Sequence, residues 1–172
     1  MTLYEPQEDS FLLNKYVRQY AQGKVLDVGT GTGLQAVTAM EDPENEVLAI
    51  DINPEAVEYV KNKGVNAIQS DLFENVKDKF DLIIFNPPYL PEDPREPEDS
   101  KLATTGGKKG DEILKKFLSQ AKDHLNKNGK ILVVISNLTG KPEELFKDYS
   151  WKLLEKEEIF METLSVYILN QS

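Results

Sequence analysis

Four consecutive residues, Asn86-Pro87-Pro88-Tyr89, combine a primary amide, two residues without an N–H donor and an aromatic face. Successive prolines fix the backbone and remove donors, so the segment is rich in acceptors. The Asn86 side-chain oxygen and the Pro87 carbonyl could grip the two hydrogens of an NH2 group. Tyr89 offers a face on which a planar group can stack. An amide or amino-heterocycle nitrogen is a weak nucleophile because its lone pair is delocalised. Catalysis on it is therefore chiefly positioning against an already reactive electrophile, which can supply roughly 7–11 kcal/mol. No strong general base is required if the proton leaves after transfer. By themselves the four residues specify a planar NH2 and leave amide and base equally open; a rigid turn or a Pro-rich ligand segment is the plainer alternative.

A second group of residues suits a cationic, ribose-bearing ligand. In Asp27-Val28-Gly29-Thr30-Gly31-Thr32-Gly33 the glycine spacing is GxGxG. The dinucleotide pattern GxGxxG would need glycine or alanine where Leu34 stands. A carboxylate just before the turn repels phosphate and favours a cation. S-adenosylmethionine has an ammonium and a positive sulfonium, and it fits both demands. Asp51 suits the two ribose hydroxyls, since one carboxylate can accept from both. Asp71 is placed for the adenine amino group, with Leu72 against the ring. A glycine turn that only packs a helix on a strand is the structural alternative; the ordered set of acids and glycines argues against it.

These residues must sit at the ends of strands. Apolar runs predict strands over Lys24–Val28, Val47–Ile50, Val65–Gln69, Phe80–Phe85 and Ile131–Ile135, with two more at about Trp151–Ile159 and Thr163–Leu169. Helices are predicted from Asp9 or Ser10, one of them the N-cap, to about Ala21, after Gly33 to about Met40, from Pro54 to about Lys63, from Asp111 to about Asn126, and near Pro142–Lys147. A long loop is expected from Pro87 to about Gly110. Strands alternating with helices imply an α/β fold with a mostly parallel sheet and helices on both faces; the last two strands form an antiparallel hairpin. Asp27, Asp51, Asp71 and Asn86 then all lie at carboxyl ends of strands, where open sheets bind ligands.

Composition narrows the field. Residues 1–172 read as one domain, with 1–22 as an N-terminal helical segment covering the cofactor. The chain has no cysteine and one histidine, His124, expected as a solvated helical residue, so no metal site is expected. The opening residues lack a signal peptide and no membrane span is evident, which points to the cytoplasm. The net charge of −10 disfavours direct binding to a nucleic-acid backbone and favours a basic partner. Acids crowd Pro91–Asp99, where Glu92, Asp93, Glu96, Glu98 and Asp99 face a single Arg95. That stretch reads as a solvated loop or as an attractor for a basic substrate. Gly106-Gly107 would let it fold over the site as a lid.

Together these motifs resemble the HemK-like branch of class I methyltransferases, in particular the glutamine methyltransferases of eukaryotes and archaea that modify class I release factors. The matching pieces include Tyr4-Glu5-Pro6, Glu8 to Leu13, Asp27 to Gly33, Asp51 to Glu55, Asp71-Leu72, Asn86 to Tyr89, Gly106-Gly107 and Glu162-Thr163-Leu164-Ser165-Val166. The resemblance implies a Rossmann-like seven-stranded sheet of order 3-2-1-4-5-7-6 with strand 7 antiparallel. It implies S-adenosylmethionine bound by Ser10, Asp27, Gly29, Gly31, Gly33, Asp51, Ile52, Asp71, Leu72 and Asn86. Asn86, Pro87, Pro88 and Tyr89 would grip the glutamine of a Gly-Gly-Gln loop. It also implies a small zinc-binding activator subunit on the edge strand near Val65–Gln69. The extra N-terminal helical domain of bacterial HemK proteins is not expected. Methylation of an adenine or guanine amino group, methylation of lysine, and a catalytically dead cofactor-binding subunit are the competing readings.

Overall fold

In the computed structural model, which describes residues 3–88 and 93–172, seven strands form one sheet in the order β3-β2-β1-β4-β5-β7-β6. The strands are β1 (Lys24–Val28), β2 (Glu46–Asp51), β3 (Asn66–Gln69), β4 (Phe80–Phe85), β5 (Leu125–Ser136), β6 (Tyr149–Ile159) and β7 (Glu162–Gln171). The first five pair in parallel, and β7 runs antiparallel to both β5 and β6. The expected order and the antiparallel strand 7 are both present.

Period-two alternation in the strands builds two separate cores. Leu26, Ile83, Phe85, Ile131 and Val133 face α5 (Glu112–Ala121), where Leu114, Phe117 and Leu118 complete that layer. Val25, Leu82, Ile84, Leu132 and Val134 face the opposite way, onto α1 (Glu8–Tyr20), α2 (Leu34–Ala39) and α3 (Pro54–Lys61). Strands covered on both faces carry continuous apolar runs, as parallel sheets require. Pro54 occupies the first turn of α3, and Asn53 caps it by accepting the Glu55 N–H at 2.9 Å.

Five expectations are corrected. Helix α1 begins at Glu8 after Gln7, with no side-chain cap, so Asp9 and Ser10 lie inside it. The Pro87–Gly110 segment contains a helix, α4 (Glu98–Thr104). It has no apolar periodicity; its support is Glu96, whose carboxylate accepts from the hydroxyls of Ser100, Thr104 and Thr105. Helix α5 ends at Ala121, and a 3-10 turn over Lys122–His124 leads into a strand already extended at Leu125, because Leu125 pairs with Phe80. His124 is half-buried rather than solvated. Its ring stacks on Phe73 with centroids 4.5 Å apart, and Nδ1 lies 3.0 Å from the Asp78 carbonyl. Helix α6 covers only Pro142–Leu145. Among the described residues no helix is long and apolar enough to cross a membrane.

Candidate active site

A cleft of about 510 Å³ opens over the carboxyl ends of β1, β2 and β4. Its floor on one side is the turn between β1 and α2. Gly33 caps α2 with φ 84°, and a Cβ there would lie 2.7 Å from Val60 Cγ1, so both conformation and space demand glycine. The Thr30 N–H donates to the Ile50 carbonyl at 3.0 Å, and the Gly31 N–H donates to Asp51 Oδ2 at 2.9 Å. Asp51 Oδ1 accepts the Asn53 N–H at 2.9 Å. Two backbone amides therefore clamp this carboxylate, and each oxygen keeps a lone pair for a ligand hydroxyl. Burial raises the Asp51 pKa, while the Asn53 and Gly31 amides oppose the shift.

Asp27 is 2% exposed. Its Oδ2 accepts the Thr30 hydroxyl at 2.7 Å, and a backbone N–H from Ala36 in α2 also reaches it. Burial pushes its carboxyl up to about 7, against these hydrogen bonds and with a further push from Asp51. Asp27 thus braces the glycine turn and brings a carboxyl that titrates near neutrality to the cleft wall. After β3, the Ser70 hydroxyl donates to the Leu72 carbonyl at 2.7 Å and accepts the Asn75 N–H at 3.0 Å. This holds Leu72 at φ 49°. Asp71 sits exposed on the rim, 3.5 Å from Lys116 Nζ of α5.

The N-terminal segment roofs the cleft. The Tyr4 hydroxyl donates to both Asp9 carboxylate oxygens at 3.0 Å. Burial first, then Asp9, holds that phenol above its usual range. Ser10 bonds back to Asp9 through its N–H at 2.6 Å. Gln35 Nε2 donates to the Ser10 carbonyl at 2.9 Å, and Asn14 Nδ2 donates to Gln35 Oε1 at 2.9 Å and to Thr38 Oγ1 at 2.8 Å. Buried side-chain amides thus tie α1 to α2, the helix that follows the glycine turn.

Asn86 follows the last residue of β4. Its Nδ2 points at Ser10 Oγ, 3.5 Å away, and its Oδ1 is buried without a hydrogen-bond partner among the described residues. A buried acceptor left without a donor costs about 1–3 kcal/mol, which a bound N–H would recover. Across the cleft, a Cβ on Gly106 would lie 2.3 Å from the Gly110 carbonyl and 2.4 Å from that of Pro88. The absence of a side chain lets this segment lie directly on the Pro88 backbone. Leu102, Ala103 and Thr104 of α4 complete the wall.

The fold brings together Ser10, Asp27, Gly29, Gly31, Asp51, Ile52, Asp71, Leu72, Asn86, Pro87 and Pro88 along the cleft. Gly33 shapes the turn from behind. Tyr89 lies outside the described residues. The sequence reading missed Leu102, Ala103 and Thr104, which lie in a charge-rich stretch. It also missed Ile113 and Lys116, which flank the apolar face of α5. Glu162 was noted only as part of a motif, yet it lines the cleft.

This donor set fits one kind of ligand. Asp51 presents acceptors for vicinal hydroxyls, Asp27 lies in a setting that favours a nearby cation, and Ile52, Leu72 and Ile113 offer apolar surface for a flat heterocycle. Asn86 Oδ1 awaits an N–H.

Comparison with known proteins gives the same direction. The methyltransferase small domain family matches residues 7–160. A protein of Methanocaldococcus jannaschii, named provisionally as a protein N5-glutamine methyltransferase, is 42% identical over 153 residues, 84% of this chain and 78% of that protein. A release factor glutamine methyltransferase of Lactococcus lactis is 36% identical over 131 residues, covering 68% of this chain; the chain spans about half of that relative's length, 48%. The structure of the E. cuniculi Mtq2-Trm112 complex, responsible for methylation of the eRF1 translation termination factor, covers 100% of both chains with a TM-score of 0.79 and 26% identity.

Proposed function

The chain belongs to the methyltransferase small domain family and to its HemK-like branch, and we propose that it methylates the side-chain amide nitrogen of a glutamine in a class I release factor. The observation that carries this reading is Asn86 Oδ1 at the end of β4, buried and without a partner among the described residues. It stands beside two prolines, where the nearest surplus is of acceptors, so the incoming group must bring N–H donors.

S-adenosylmethionine is the cofactor, and when bound it supplies an electrophilic methyl group on a positive sulfur. Asp51 accepts the ribose hydroxyls, and Asp27 favours the cationic amino acid end. Leu72 and Ile52 pack on adenine, with Asp71 at its amino group. The N-terminal segment, from Leu3, would cover the cofactor, with Ser10 against it. Asn86 Oδ1 and the Pro87 carbonyl would hold the two amide hydrogens in their plane, leaving a face of the nitrogen open to the methyl donor that the cofactor would supply. One N–H proton leaves to water once the methyl has arrived, and no side chain in the cleft needs to act as a strong base.

The edge strand β3 is open to pairing. We place a small activator subunit there and propose that it binds zinc; that the similar E. cuniculi Mtq2 structure is a complex with Trm112 supports a partner subunit. A net charge of −10 makes a direct nucleic-acid substrate the weaker reading.

The test is methyl transfer from labelled cofactor to a purified class I release factor, with and without the activator, followed by mass spectrometry of the Gly-Gly-Gln peptide. One added methyl on the glutamine is expected. Label in RNA or on lysine, with none on glutamine, would overturn the assignment.

A further inference from the structure

Glu162, the first residue of β7, is an acid of the cleft wall that the mechanism leaves without a task. Sheet order decides which side of the site it serves. The strands carrying the cofactor acids, β1 and β2, lie on one side of β4, and β5 and β7 lie on the other. Ser136, at the end of β5, pairs in register with Leu164 of β7. Glu162 therefore stands beyond Asn86, away from Asp27 and Asp51.

Its carboxylate is fixed. The Ser136 hydroxyl donates to Glu162 Oε2 at 2.6 Å, and Ser136 itself is fully buried. The loop that presents Ser136 is joined to the hairpin by two further bonds. Asn137 N–H donates to the Thr163 carbonyl at 3.0 Å, and Thr163 N–H donates to Asn137 Oδ1 at 2.8 Å. Among the described residues only one oxygen of this half-buried carboxylate is held, by a buried hydroxyl, and the other is left for an outside donor. A prepositioned acceptor loses little freedom when that donor arrives.

We infer that Glu162 is a substrate-positioning residue: its free carboxylate oxygen accepts a peptide N–H of the polypeptide flanking the target glutamine, with Ser136 holding it in place. The polypeptide is thereby held on the far side of Asn86 while its amide is gripped at Asn86. The inference rests on the glutamine-methyltransferase reading. It explains why an acid begins the Glu-Thr-Leu-Ser-Val segment of β7. The hairpin alone would accept many polar residues there.

The test is steady-state kinetics on a Gly-Gly-Gln peptide, with the activator present. For Glu162→Ala, KM for the peptide rises about tenfold or more, kcat changes less than about threefold, and the cofactor Kd is unchanged. Glu162→Gln, which keeps an acceptor oxygen, recovers part of the loss. Ser136→Ala gives an intermediate rise, because the carboxylate is present but no longer held. A purely structural brace would instead lower the melting temperature and leave the peptide KM unmoved. That result, or equal KM values for wild type and Glu162→Ala, overturns the inference alone. Absence of transfer to any release-factor glutamine by the wild-type chain overturns the glutamine reading, and this inference with it.

Discussion

The Gly31 N–H donates to Asp51 Oδ2 at 2.9 Å, which makes the turn after β1 and the acid ending β2 a single unit. The acid is held by the same turn that approaches the ligand. Removing it therefore deletes a ligand acceptor and loosens the turn.

Asp51→Ala is accordingly expected to weaken cofactor binding. Hydrogen bonds to a charged group contribute about 1.5–3 kcal/mol each, so Kd should rise by roughly ten- to a hundredfold. Isothermal titration with S-adenosylmethionine measures this. An unchanged Kd would remove the ribose assignment.

Asn86→Ala should separate binding from chemistry. The prediction is a loss of at least about a hundredfold in kcat, comparable to deleting one group that orients or stabilises a reacting centre, with cofactor Kd altered only a few-fold. Single-turnover transfer to the peptide, alongside titration of the cofactor, checks both halves. Wild-type-like turnover is the result the mechanism could not survive.

The Asp27 carboxyl, pushed up to about 7 by burial, gives two pH effects of definite sign. The folded protein holds this proton more tightly than the unfolded chain, whose value is near 3.8. Its contribution to stability is complete at pH values below about 3.8 and is lost as pH rises through about 7. Binding of a cation runs the other way. The ionised form is needed, so cofactor affinity should climb as pH rises through about 7 and then level off. In Asp27→Asn the climb should vanish. Fluorescence titrations across this range read the effect, and an identical pH slope in the variant would count against Asp27.

Gly33→Ala tests the turn itself. The position has φ 84°, and a new Cβ would lie 2.7 Å from Val60 Cγ1. The left-handed backbone alone costs about 1–2 kcal/mol for an L residue, so a fall of several degrees in melting temperature is expected. Val60→Ala in the same chain should relieve the steric share and leave the backbone share. Calorimetry on the single and double variants resolves the two; full rescue by the double variant would mean that φ carries no cost.

The sheet and its order were legible in the sequence because strand residues announce themselves. Leu82 to Phe85 and Ile131 to Ile135 are apolar without a break, as strands covered on both faces must be, and in Val25 to Val28 only Asp27 interrupts the run. The residues that line the cleft at the strand ends were legible for a related reason. Asp27, Asp51 and Asn86 sit next to strand ends, so their place along the chain nearly fixes their place in space. Helix α4 was not legible. Nothing local in Glu98–Thr104 favours burial, and its support is the carboxylate of Glu96, which folds back onto three hydroxyls. His124 looked solvated because its neighbours are charged; only the packing of Phe73 beneath its ring shows otherwise.

The amino-acid sequence by itself determined the strands, the glycine turn and the acids at the strand ends, since each depends on neighbours a few residues away. Tertiary structure alone decided that Glu162 stands beside Ser136, 26 positions earlier, and that Asn86 Oδ1 is buried without a donor. The first depends on which strands lie next to one another, and the second on which groups the folded chain brings within hydrogen-bonding distance. Short-range chemistry writes itself into local residue patterns. Burial and pairing across strands are properties of the assembled sheet, and no local pattern records them.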